Sequence, residues 1–438
     1  MNVLPDLANR LRALNELDRT LLVEAAAGTG KTALIAGRIV MLLARGVEPK
    51  SIAAITYTVF AASELALRVA RYVDDLLGGE VPRPLLERLP KGLSAEQRTA
   101  LERAAADLDE LSANTIHAFC QQLIIAYPVE ADVDPGARLM EEVEQGAVFD
   151  QVFADWLKRR LSGEARADDV VAVMTRDAPR TAAKALRDFA RFRIRHRDGR
   201  APPADLSGRP DRTLSQAVAA FRDWYDANGV REASTATLLE DLALLAAHYD
   251  EALAREPDIE TLWRLAQPPA LGAMRRDTRD LTRPRLKTAW TRAAGKARGE
   301  ALYTAFTTHF EAVDSAYRTL SGRVAGALLE RVSVELDEVI EAYARFKREA
   351  ALLDFDDLLF RARALVRDHD VVRRELAERY QYILIDEFQD TDPLQTEIFF
   401  RLGAEAHGED WGKEQLRSGA LFMVGDPKQA IYRFRGAD

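Results

Sequence analysis

The chain has 438 residues, 47% of them hydrophobic and 30% charged, with a formal net charge of −9. This composition is that of an ordinary globular chain without low-complexity tracts, with room for two or three domains. The charge argues against a uniformly basic nucleic-acid coat while leaving a local basic groove open. A single cysteine, Cys120, excludes a disulfide framework and fits a reducing cytoplasm, and no run approaches the ~18–20 apolar residues of a membrane span.

In chain order, the amphipathic stretch "MNVLPDLANRLRALNELDRT" reads as a packed helix rather than a secretory signal. "TLLVEAA" (20–26) predicts a buried strand, and "KTALIAGRIVMLLARG" predicts a helix ended by Gly46. "SIAAITYT" (51–58) is a second strand, and "AASELALRVARYVDDLL" has apolar residues at helical spacing. "LSANTIHAF" (111–119) is a third short strand leading into a helix. From about 128 to 350 strand patterns fade into Ala/Leu/Arg/Glu-rich helical periods, broken by loops such as "DGRAPPADLSGRPD" (198–211). "ALLDFDDLLFRARALVRD" predicts a helix, and "YQYILIDEF" (380–388) and "GALFMVGDP" (419–427) return as buried strands. The expected fold is α/β: one parallel sheet with crossover helices, drawn from 1–127 and 351–438, around a mostly α-helical insertion over 128–350.

Two segments are locally basic, 180–200 and 275–299. Each suits a solvated helix face. The second is the better nucleic-acid candidate, because Trp290 lies among its basic residues.

"EAAAGTGKT" (24–32) follows the first strand and opens the first helix, the context that a phosphate-binding loop requires. Gly28 and Gly30 let the backbone approach phosphate closely, so that Ala27, Gly28, Thr29 and Gly30 present N–H groups to it. Lys31 reaches the β- and γ-phosphates of ATP, and the Thr32 hydroxyl is a Mg²⁺ ligand. Ala25 replaces the commonest Gly at the head of the loop. On the strand "YILIDEFQDT", Asp386 emerges at the C-terminal end to hold the metal, and Glu387 is placed to act as general base on a water. An Asp-Glu pair after an apolar strand also suits an ordinary helix start; the phosphate loop favours the catalytic reading. "DFDDLL" has helical spacing and reads as structural. The six histidines are scattered without metal-ligand spacing.

"AAAGTGKT", "AAITYTVFAASELALRV", "ANTIHAFCQQLI", "DFDDLL", "YILIDEFQDTDPLQ" and "LFMVGDPKQAIYRFRGAD" occur in an order that resembles the UvrD/Rep-like superfamily 1 DNA helicases. "TIHAFC", "FDDLL" and "GDPKQAIYRFRGAD" look most like the RecB and AddA helicase-nuclease motor subunits. The resemblance covers both ends of the chain, about half its length. It implies a RecA-like ATP-binding domain, called 1A, interrupted by a helical 1B insertion, with ATP and Mg²⁺ as cofactors. It makes Gln429 the residue that senses the γ-phosphate. It places Tyr57, His117 and Phe119 along a single-stranded DNA track, and Tyr432, Phe434 and Arg435 at stacking and phosphate-neutralising positions. Stacking on aromatics suits sequence-independent binding, at about 1–3 kcal/mol per base.

Two departures stand out. No glutamine precedes Gln97, so the adenine-reading glutamine common upstream of the loop is missing, and "TYTVFAA" has Val59 and Phe60 where a polar residue and Lys are common. Phe60 suits either a DNA-facing or a buried position. No second RecA-like domain, with its arginine fingers, and no nuclease domain is recognisable. The expectation is therefore the N-terminal part of a longer motor, one that binds Mg-ATP weakly, hydrolyses it slowly and does not unwind DNA alone. Implied partners are single- or double-stranded DNA and a second AddB- or RecC/RecD-like subunit, with 3′→5′ translocation, cytoplasmic location and no membrane. A nucleotide-gated module that binds single-stranded DNA without a motor cycle is the alternative.

Overall fold

The computed structural model of the chain describes residues 6–26, 28–163, 168–199, 206, 212–267, 271–272 and 280–430. It divides into two units, residues 1–145 with 347–438, and residues 146–346.

The first unit opens with α1 (Leu7–Asn15), β1 (Leu21–Glu24), α2 (Lys31–Ala44), β2 (Ile52–Thr56) and α3 (Val59–Leu77). α4 (Ala95–Ala106), β3 (Ser112–Thr115), α5 (Ile116–Ala126) and the two-residue β4 (Arg138–Leu139) follow. α6 (Glu142–Ser162) carries the chain into the second unit, which adds α7 (Val170–Asp177), α8 (Pro179–Arg195), α9 (Thr213–Ala227) and α10 (Ala233–Ala252). α11 (Ile259–Leu265), α12 (Lys287–Ala294) and the 54-residue α13 (Lys296–Glu349) complete it. Back in the first unit lie β5 (Leu352–Leu353), α14 (Phe355–Asp368), α15 (Asp370–Arg379), β6 (Tyr382–Ile385), α16 (Pro393–Gly403) and β7 (Leu421–Gly425).

The main sheet has the order β1-β7-β6-β2-β3. Every neighbouring pair in it is parallel, with Glu24 opposite Gly425, Ile385 opposite Met423 and Ile55 opposite Ile385. The central strands β2, β6 and β7 are covered on both faces, which explains their apolar runs. Edge strand β1 alternates, with Leu22 59% exposed, and so is not the fully buried strand expected, and edge strand β3 is half-buried and largely polar. Leu384, Phe422 and Val424 face a core with Ile39, Val40, Leu65 and Val69. Ile383, Ile385, Leu421 and Met423 face a second core with Phe119, Leu358, Leu365 and Phe399. Because all five strands run the same way, their C-terminal ends open on one edge, where ligands of such sheets bind.

A second ladder pairs β4 with β5 in parallel, Arg138 opposite Leu352. Beside it, buried Lys347 Nζ bridges the carboxylates of Asp354 and Asp357 at 2.6 and 2.5 Å, and those two residues form a capping box at the start of α14. "DFDDLL" is thus a helix start locked by a buried ion triad.

The helical unit has its own core, with Phe153, Phe221, Phe306 and Trp290 among its members. Trp290 is 0% exposed, with its ring centroid 5.7 Å from that of Trp224 and 6.1 Å from that of Tyr225. It packs the core, which removes the reason for reading 275–299 as a DNA-stacking segment. In α8, Ala182, Leu186, Ala190 and Ile194 are buried at a period of four, while Arg191 and Arg193 pair with Asp150 and Asp337 at 2.8 and 2.7 Å. That basic stretch is an amphipathic helix whose charged face is partly neutralised by its own unit.

Candidate nucleotide site

The loop after β1 starts in register. Ala25 N–H donates to Gly425 O at 2.9 Å, extending the β1–β7 ladder by one bond. The loop then folds on itself: Thr29 donates its N–H and its hydroxyl to Ala26 O at 3.3 and 2.7 Å. Gly28 (φ +74°) and Gly30 (φ +89°) occupy left-handed backbone that a side chain would strain. Gly30 is the N-cap of α2, Lys31 its first residue and Thr32 its second. The first-turn amides of that helix need outside acceptors, which is what a phosphate supplies. Ala27 lies outside the described residues.

Lys31 meets the other half of the site. Its Nζ donates to Glu387 Oε2 at 2.5 Å, and the lysine side chain is 9% exposed. Asp386 N–H donates to Ile55 O at 2.8 Å, so β6 stays in its ladder up to the carboxylate. Glu387 then turns with φ +54°, a strained conformation for a non-glycine residue, and donates its N–H to Asp386 Oδ1 at 3.0 Å.

Gln389 ties this turn to β7. Its amide nitrogen donates to Glu387 Oε2 at 2.8 Å, and its amide oxygen accepts the Asp426 N–H at 2.8 Å. Gln429 donates its side-chain amide to the Asp426 carboxylate, on the turn just past β7. The bridges place Lys31, Glu387 and Asp426 around the C-terminal ends of β1, β6 and β7.

Electrostatics here favour a cation. Burial and then the neighbouring Glu387 push the Asp386 carboxyl up to about 6, with Lys31 pulling the other way. Asp390 is raised for the same two reasons. Three acidic groups beside one lysine form a site that further positive charge would relieve. Mg²⁺ is held through one or two protein ligands together with phosphate and water, and Thr32 and Asp386 are the residues that would hold it here.

The profile of the UvrD/REP helicase N-terminal domain matches residues 8–438. The chain belongs to this family. It is similar to RecBCD enzyme subunit RecB of Escherichia coli strain K12, 28% identical over 446 residues that cover 95% of this chain and 34% of the relative. An ATP-dependent helicase/nuclease subunit of Listeria welshimeri is 26% identical over 480 residues, covering 98% of this chain and 35% of the relative. The same-named subunit of Levilactobacillus brevis is 27% identical over 470 residues, with 98% and 34% covered. The chain spans about a third of the length of these relatives.

In this UvrD/REP-type chain the expected DNA-facing residues separate. Tyr57, just past β2, is 45% exposed, and Phe60 on the first turn of α3 is 78% exposed, so Phe60 is not a core residue. His117 is half-buried, edge-on to Phe355 with centroids 5.5 Å apart, and burial lowers its pKa. Phe119 is 0% exposed, against Tyr380 at 5.1 Å and Phe399 at 6.4 Å. This corrects the expectation of a DNA-facing ring there: Phe119 fills the core under the sheet. Tyr432, Phe434 and Arg435 lie outside the described residues. Gln389 was not singled out from the sequence, although it sits two residues past Glu387; its importance comes from the contact with Asp426, which sequence order hides.

Proposed function

We propose that this chain is the ATP-binding half of an ATP-dependent DNA helicase or translocase of the RecB/AddA type. In that reading the sheet-bearing unit serves as domain 1A and the helical unit as domain 1B. The motor moves 3′→5′ on single-stranded DNA, processes double-strand breaks in the cytoplasm and works with a second subunit of the AddB or RecC/RecD kind. The observation that carries the proposal is the Lys31–Glu387 contact, which brings a phosphate-loop lysine and a general-base carboxylate together from opposite ends of the chain.

The chain's own residues then divide the work. Backbone N–H groups at Gly28, Gly30 and the first turn of α2 receive the phosphates. Lys31 leaves Glu387 for the β/γ-phosphate oxygens, which frees Glu387 to take a proton. A water oxygen attacks the γ-phosphorus as its proton passes to Glu387, and the bond from that phosphorus to the ADP oxygen breaks. Gln389 keeps Glu387 oriented once Lys31 has moved away. Thr32 and Asp386 would hold Mg²⁺, which would supply positive charge to the phosphate site. Tyr57, Phe60 and His117 contribute to the DNA surface, together with Tyr432, Phe434 and Arg435.

The test is nucleotide binding and phosphate release by the purified chain, with and without oligo(dT). Lys31→Ala is expected to weaken Mg-ATP binding by more than about tenfold, and Glu387→Gln to leave binding in place while stopping phosphate release. If Glu387→Gln leaves phosphate release unchanged, the motor reading fails and the nucleotide-gated DNA-binding module takes its place.

A further inference from the structure

The phosphate loop is contacted from outside its own motif. On α2, Gly37 lies in close contact with its neighbours: a Cβ there would meet Leu14 Cδ2 and Leu85 Cδ2 at 3.2 Å, closer than an ordinary van der Waals contact. α1 therefore packs tightly against α2 at Leu14. The next residue, Arg38, is 1% exposed and donates to the carbonyl of Ala13 at 2.5 Å. It also donates to Glu16, Leu17 and Arg19 carbonyls at 3.1, 3.4 and 3.3 Å. These bonds hold the C-terminal end of α1 and the turn after it. One helical turn before Leu14, on the same face, stands Arg10. Its Nη2 donates to Thr29 O at 2.6 Å, and its Nε is held by Asp6 at 2.8 Å.

The bond to Thr29 has a directional consequence. In a planar trans peptide the C=O and the N–H point in opposite directions. The N–H of the unit whose oxygen Arg10 holds belongs to Gly30, the residue with φ +89° at the N-cap of α2. With its oxygen drawn toward α1, that unit turns the Gly30 N–H to the opposite side of the loop. A left-handed glycine on its own could let the peptide rotate, so an external anchor is what fixes the amide's aim.

We propose that Arg10 is a positioning residue for phosphate binding: it braces the Thr29–Gly30 peptide so that the Gly30 N–H is preset toward the phosphates. It acts through the loop and does not touch the nucleotide. The proposal rests on the nucleotide-site reading above.

The test follows N-methylanthraniloyl-ADP binding to the 438-residue chain and its displacement by inorganic pyrophosphate, which has neither base nor sugar. Thermal unfolding is measured alongside. Arg10→Ala is expected to weaken both ligands about tenfold, the effect of losing one oriented donor to a charged group, and Arg10→Lys to recover most of that loss. Should Arg10→Ala lower the unfolding temperature, Arg10→Lys decides: recovered pyrophosphate affinity supports the proposal and no recovery overturns it. Weakened ADP with unchanged pyrophosphate overturns it, because Arg10 would then act on base or sugar. Unchanged affinities in Arg10→Ala, with binding weakened more than about tenfold by Lys31→Ala, overturn it while leaving the nucleotide site standing. Binding that Lys31→Ala does not weaken removes the nucleotide-site reading itself, and the brace with it.

Discussion

At the scale of single residues, Asp386 is held at odds with its surroundings, its carboxyl pushed up to about 6 by burial and by Glu387. The folded chain thus holds this proton more tightly than the unfolded chain does. Stability from this group is fully present below the ordinary value of 3.8, is lost as pH rises to about 6, and changes little above. Asp386→Asn is expected to stabilise the nucleotide-free protein by about 2–3 kcal/mol at pH 8, but only by about 1 kcal/mol at pH 4.5. It should at the same time weaken Mg²⁺-dependent nucleotide binding. Urea unfolding at the two pH values checks this; an equal effect at both would show that charge at Asp386 is not the cause. Tyr57 and Phe60 make a second case. Being exposed at 45% and 78%, they can be truncated without opening a core cavity. Tyr57→Ala and Phe60→Ala should each weaken oligo(dT) binding by about 1–3 kcal/mol and leave nucleotide affinity alone. Fluorescence anisotropy with labelled oligo(dT) measures it, and unchanged affinity in both variants would remove these rings from the DNA surface.

Among the elements, β2, β6 and β7 were legible because each is a short apolar run covered on both faces. The edge strands β1 and β3, exposed or polar in part, were legible mainly from the loop or cap residues that follow them. β4 and β5 were not, since a two-residue strand shows no period, and their pairing joins segments from the two ends of the chain. "TIHAF" shows how a boundary decides a side chain's fate. Read as strand, residues 117 and 119 share a face. Thr115 instead caps a helix that begins at Ile116, accepting the Ala118 N–H, and the two side chains then stand about 200° apart. His117 stays at the edge, and Phe119 turns into the core. β7 carries a prediction of the same kind. A Cβ on Gly425 would meet Gln389 Oε1 at 2.7 Å and Gln389 N at 3.1 Å, so this glycine is needed for close approach. Gly425→Ala should destabilise the chain by about 1–3 kcal/mol. Combined with Gln389→Ala its effect should be smaller than the sum, because the shorter side chain removes the nearer clash. Additive losses in urea unfolding would mean that Gln389 is not what Gly425 accommodates.

For the whole molecule, the informative fact is that, among the described residues, each hydrophobic core cluster draws its members from one unit. The cluster from Phe149 to Tyr343 lies wholly within 146–346, and the two clusters flanking the sheet lie wholly outside it. A separate core is what allows a unit to unfold as its own cooperative step. Every described residue of the candidate nucleotide site, from Gly28 to Gln429, belongs to the sheet-bearing unit. A ligand that binds one folded unit stabilises that unit by mass action and leaves the other unchanged, by about 2.7 kcal/mol at a hundredfold excess over its Kd. Scanning calorimetry of the full chain should therefore show two transitions, of which Mg-ADP raises one. The unshifted transition should match that of a separately expressed 142–349 fragment, whose circular dichroism should be almost wholly helical. In Lys31→Ala neither transition should respond to Mg-ADP. A single transition that moves as a whole with nucleotide would instead show that the two cores unfold together, and that the helical unit takes part in stabilising the nucleotide-bound state.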